Sequence, residues 1–207
     1  MVFIGSEKII IPTLSGFSKI DNNLDSKKFL KRHTPAILGA PTNNIKELAI
    51  FEKKSQNSRL FIKVVIAKGL INPYIKESEF KAFKKDFIQV NKVLSNMIDD
   101  KEYSEEYLKK SFNGKIIEMS IIDNGSISQN NILNISSSYL VSPSPGTFSR
   151  VKDTLLSINL KGKFMTILIS NIDISKSSTD VKGTFDLAKE FAAQFIALNS
   201  GEIEIIQ

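Results

Sequence analysis

Between residues 80 and 97, Phe80, Phe83, Phe87, Val90, Leu94 and Met97 follow one another at spacings of three and four. That is the period of an α-helix of about five turns with a single apolar stripe, and such a stripe needs a flat apolar surface to cover it. Ser78 stands where an N-cap belongs. Lys81, Lys84, Lys85 and Lys92 fall mostly off the stripe. Fewer than three heptads are present, too few for a coiled coil. The ridge is therefore expected to be core against a β-sheet rather than a ligand groove.

The remaining segments read as the sheet that this helix needs. Lys8–Pro12 and Gly16–Ile20 predict an opening hairpin around Thr13-Leu14-Ser15. Asp25 is placed to cap a short helix through Lys27, Phe29, Leu30 and Arg32, ending near Thr34 because Pro35 follows. Glu47–Lys53 and Leu60–Lys68 are rich in β-formers and predict an antiparallel pair. Ser104 opens a second short helix, closed by Asn113-Gly114. From Lys115 the period becomes two: Ile116–Ile122, a tight turn at Asp123-Asn124-Gly125, then strand from Ile127 onward, continuing through Ile132–Val141. Ser142-Pro143-Ser144-Pro145-Gly146 predicts a surface loop that interrupts the sheet. Val151–Leu160 and Phe164–Asn171 form a hairpin around Lys161-Gly162-Lys163. A terminal helix starts at Thr179 or Asp180 and turns Leu187, Ala188, Phe191, Phe195 and Leu198 inward, before a final strand at Glu202–Ile206.

Hairpin-joined strands and two long one-sided helices predict an α+β fold: an antiparallel sheet flanked by the two long helices and by short ones. No linker or repeat divides the chain, so residues 1–207 are expected to form one domain.

Composition narrows the chemistry. The 207 residues carry no cysteine, one histidine and a formal charge of +6. Disulfides, thiolate metal sites, cysteine nucleophiles and two-histidine metal sites are excluded. The positive residues are 25 Lys and only Arg32, Arg59 and Arg150, spread along the chain, and 30 Ile and 16 Asn accompany them. Coding bias explains this more simply than nucleic-acid recognition, which favours arginine. No run reaches the roughly 18 apolar residues of a membrane span. The compartment stays open: cytoplasmic as written, periplasmic if a signal peptide has been lost upstream.

His33 sits at a helix C-terminus, where a cation is favourable, with neither cysteine nor second histidine to partner it. Asp99-Asp100 and Glu105-Glu106 lie at helix ends, where solvation and the dipole account for them. There is no nucleophile elbow, phosphate loop, calcium loop or zinc motif. No catalytic residue, metal or cofactor is expected. The densest positive cluster is Lys27, Lys28, Lys31 and Arg32, at helical spacing, and it is the one candidate binding patch.

Ile9-Ile10-Ile11-Pro12 with Gly16-Phe17, Lys161-Gly162-Lys163-Phe164 through Ser170, and Phe185–Asn199 fall in an order that resembles the Mog1/PsbP-like family. The chain has no tryptophan, whereas that family often places a conspicuous aromatic after the early strand. The resemblance implies a layered antiparallel sheet and a non-enzymatic binding or accessory protein, and it transfers no site residue. The expected function is that of a non-catalytic bacterial protein acting through protein–protein contact. Two alternatives remain: a small hydrolase using Ser or carboxylate chemistry, with His33 the first residue to test, and a Lys-rich binder of nucleic acid or anionic membrane.

Overall fold

A computed structural model of the chain describes residues 1–20, 23–33, 44–86, 89, 116–122, 132–144, 147–173 and 182–200. The strands are β1 (Val2–Ile4), β2 (Glu7–Ile9), β3 (Ser18–Lys19), β4 (Ile45–Lys54), β5 (Ser58–Ala67), β6 (Ile116–Ile122), β7 (Ile132–Ser144), β8 (Thr147–Leu160) and β9 (Lys163–Asp173). The helices are α1 (Leu24–His33), α2 (residues 77–86) and α3 (Lys182–Ser200). Strands β3 to β9 form one seven-stranded sheet in the order β3-β4-β5-β9-β8-β7-β6, and every pairing is antiparallel. The fold is α+β: an antiparallel sheet between helices.

Helices on both faces explain why the inner strands β5 and β9 are apolar on both sides. On one face, Ile62, Val64, Leu156, Ile158, Met165, Ile167 and Ile169 pack with Ala188, Phe191, Ala192 and Phe195 of α3. Phe191 and Phe195 are fully buried and meet edge to face with centroids 5.7 Å apart. Burial of each contributes about 2–3 kcal/mol. Asn199 completes the α3 stripe. Its Oδ1 accepts from the Ile10 N–H at 2.9 Å, and its Nδ2 donates to the carbonyls of Ile10 and Phe195 at 2.8 Å. A hydroxyl chain joins the other end of α3 to the sheet, from Ser136 through Thr154 to Thr184, at 2.9 and 3.0 Å.

The opposite face carries α1 and α2 at its two ends. Leu30 packs with Ile50, Phe61, Val151 and Ile172. Phe80 is buried against Phe164, with centroids 5.5 Å apart, as the helical stripe predicts. Phe83 also meets the Phe164 ring but stays 42% exposed, so this part of the stripe lies at the rim of the core rather than inside it. Phe87, Val90, Leu94 and Met97 fall outside the described residues, as do the helix expected from Ser104, the Asn124-Gly125 turn and the strand expected at Glu202–Ile206.

Several boundaries differ from expectation for identifiable reasons. The opening hairpin is Val2–Ile9, not Lys8–Ile20, because Gly5 adopts φ +59° and closes the turn at Gly5-Ser6 rather than at Thr13-Leu14-Ser15. Asn23 rather than Asp25 caps α1, its Oδ1 accepting from the Ser26 N–H at 3.0 Å. That is the N-cap to N3 bond such a cap makes. At α2 the Glu79 carboxylate reaches back to the Lys76 N–H at 2.7 Å, one half of a capping box, so Ser78 lies inside the helix. The proline-rich stretch does not interrupt the sheet. β7 continues through Pro143 to Ser144, which pairs with Thr147, and a register shift between Val141 and Ser144 accommodates the missing N–H.

The β8–β9 turn anchors the loop that leads into α2. Lys161 and Gly162 take φ values of +52° and +70°, and the Tyr74 ring covers Gly162 so closely that a Cβ there would collide with it. The Lys163 ammonium, 3% exposed as a residue, donates to the carbonyls of Ile71, Asn72 and Pro73 at 3.0, 3.1 and 3.2 Å. This lysine is a structural cation, not a surface charge.

Candidate functional site: the basic edge of the sheet

Helix α1 starts beside β4 at the sheet edge and crosses the sheet, with Leu30 packed on Ile50, Phe61, Ile172 and Val151 and the helix also meeting β7. Its N-terminal turn contacts Glu52 through Ser26, and the next residue, Lys27, reaches Glu47. Along that edge the side chains sort by charge. β3, β4 and the first turns of α1 together hold six cations (Lys19, Lys27, Lys28, Lys46, Lys53, Lys54) against three acids (Asp25, Glu47, Glu52). The difference, +3, is half of the chain's +6. Lys19, Lys46, Lys53 and Lys54, far from Lys27 and Lys28 in sequence, are brought to the same edge by folding.

Beneath this rim sits a buried charged network. Glu52 is 5% exposed and forms an ion pair with Arg59. The Ser26 hydroxyl, 1% exposed as a residue, donates to Glu52 Oε2 at 2.7 Å and accepts from Arg59 Nη2 at 2.9 Å. The guanidinium lies 3.9 Å from the Phe29 ring centroid and 5.3 Å from that of Phe61. Cation–π contact and bidentate geometry are what arginine supplies and lysine does not. A buried carboxylate is tolerable because its charge is matched and its oxygens are hydrogen-bonded. Above the network a cleft of about 420 Å³ opens between β3, the start of α1 and β4, lined by Gly16, Ser18, Lys19, Ile20, Asn23, Glu52 and Lys54.

The four residues of the expected patch all lie on α1, but they are not equivalent. Lys27 is partly buried and pairs with Glu47 at 3.1 Å, while Lys63 approaches the same carboxylate at 3.4 Å. Lys28 is exposed. Lys31 and Arg32 occupy the last turn of α1, and His33 ends it; the side chains of all three fall outside the described residues. What sequence reasoning missed is the contribution of β3 and β4. Lys19, Lys46, Lys53 and Lys54 join the α1 cluster only through strand pairing, and Ser26, Glu52 and Arg59 converge from positions up to 33 apart. The one signal available was in β4, where Glu52 directly follows the apolar run Leu48–Phe51.

Among the described residues no three His, Cys, Asp or Glu side chains gather as a metal site, and no helix is long and apolar enough to cross a membrane. No protein-family model and no curated protein matches the chain. Among solved structures, the Ran-binding protein Mog1p of Saccharomyces cerevisiae is similar in layout, with 87% of this chain and 85% of that one covered at 8% identity and a TM-score of 0.37.

Proposed function

We propose that this is a non-catalytic binding protein that engages a protein partner through the α1–β3–β4 edge. The carrying observation is the gathering of six lysines against three acids beside a sheet edge whose last strand, β3, is only two residues long. Concentrated charge of one sign steers an oppositely charged partner and fixes its register. The internal Ser26–Glu52–Arg59 network supports the binding reading over a hydrolytic one. Its hydroxyl belongs to a residue only 1% exposed and is held by both a donor and an acceptor, so a substrate has no approach to it.

A photo-crosslinking side chain at Lys46, compared with one at the exposed Ala193 of α3, tests this in cells. A protein captured from residue 46 but not from residue 193, which binds the purified chain and loses at least about tenfold in affinity to Lys28→Glu, is the expected result. Capture of RNA or lipid instead, or turnover of a substrate abolished by Ser26→Ala, overturns it.

A further inference from the structure

Building on that protein-binding reading, we infer that the partner contributes an extended acidic segment, which adds as a strand to the outer edge of β4 and continues the row that β3 begins. β4 is ten residues long and pairs with β5 from Ile45 to Lys54. On its other side β3 reaches only Glu52 and Phe51, with one further bond from the Ile20 N–H to the Ile50 carbonyl at 3.0 Å. From Ile45 to Ala49 no strand pairs with that side among the described residues. An open row of backbone donors and acceptors is the template that strand addition uses, with main-chain bonds giving affinity and alternate side chains giving specificity.

Two features of this edge select the occupant. Lys46 is exposed, and the β4–β5 register shifts between Glu47 and Ala49. An edge lysine and a bulge discourage pairing with indiscriminate or like-charged strands, a second copy of β4 included. An acidic strand meets the opposite situation. Lys28, on the adjacent helix, is exposed, and Lys53 and Lys54 continue the positive rim past the cleft. The two acids of β4 are already engaged, Glu47 by Lys27 and Lys63 and Glu52 by Arg59, so they present little uncompensated charge to an incoming carboxylate.

The test is fluorescence anisotropy on the full chain with three labelled decapeptides: alternating Glu and Thr, alternating Lys and Thr, and the Glu–Thr sequence with every second backbone nitrogen methylated. The Glu–Thr peptide is expected to bind at least about tenfold more tightly than either of the others, and to weaken as salt rises and screens the charges. Lys28→Glu with Lys46→Glu abolishes the preference, whereas Lys189→Glu, a charge change on exposed α3 surface, leaves it intact. Equal binding of the methylated peptide overturns strand addition, because charge alone then accounts for the affinity. Binding of heparin with no binding of the Glu–Thr peptide overturns the choice of an acidic protein segment. If the peptides fail while the protein crosslinked at residue 46 still binds in a Lys28-dependent way, strand addition falls and the protein-binding reading stands.

Discussion

Arg59 ties a helix to a strand through three contacts at once: the Glu52 carboxylate, the Ser26 hydroxyl and the Phe29 ring. Removing one partner of a buried pair leaves the other charge uncompensated, which costs more than the pair itself contributes. Glu52→Gln is therefore expected to lower unfolding free energy by about 3 kcal/mol in urea titration. Glu52→Gln combined with Arg59→Met should cost clearly less than the two single changes added together, because the second substitution removes the charge that the first leaves stranded. Additive losses would show that the network is not the unit described. The same substitutions loosen α1 and thereby disturb the binding edge without touching its exposed lysines.

At the scale of elements, the terminal helix is held by its stripe of apolar residues and by Asn199, whose side chain bonds both the N–H and the carbonyl of Ile10. Asn199→Ala leaves three main-chain groups without that partner and should cost about 2–3 kcal/mol. Its particular signature is faster amide exchange at Ile10, while the amides of β8 and β9 keep their protection; unchanged exchange at Ile10 would contradict the contact. This helix was also among the most legible parts of the sequence. Ala188, Phe191 and Phe195 are buried as their spacing predicts, and Leu187 and Leu198 are half-buried. The Lys161-Gly162 turn, the β4–β5 pair and the burial of Phe80 were equally plain, because local periodicity and turn chemistry decide them. Elements whose form depends on distant partners were not. The early hairpin is set by Gly5, whose turn packs against the Ile71 carbonyl, and Pro143 remains in strand because β8 can shift register beside it. Nothing local in the sequence marks Asn199 as a bridge, since its partner lies 189 residues away.

At the scale of the whole molecule, the decisive property is where the charge goes. In sequence the lysines look like compositional background, and only Lys27, Lys28, Lys31 and Arg32 stand out. Once β3 and β4 are laid beside the start of α1, Lys27 and Lys28 become one flank of a positive edge with four further lysines, while Lys163 is withdrawn into a cage of carbonyls. Fold class followed from periodicity, but the site required pairing between segments that periodicity does not connect. The most direct measurement is amide hydrogen exchange on the full chain, alone and saturated with the protein captured at residue 46. Slowed exchange across Ile45–Ala49, with α3 unchanged, is the predicted result. Slowed exchange confined to the opposite end of the sheet, around Tyr74 and Phe83, would contradict the assignment of the edge as the binding surface.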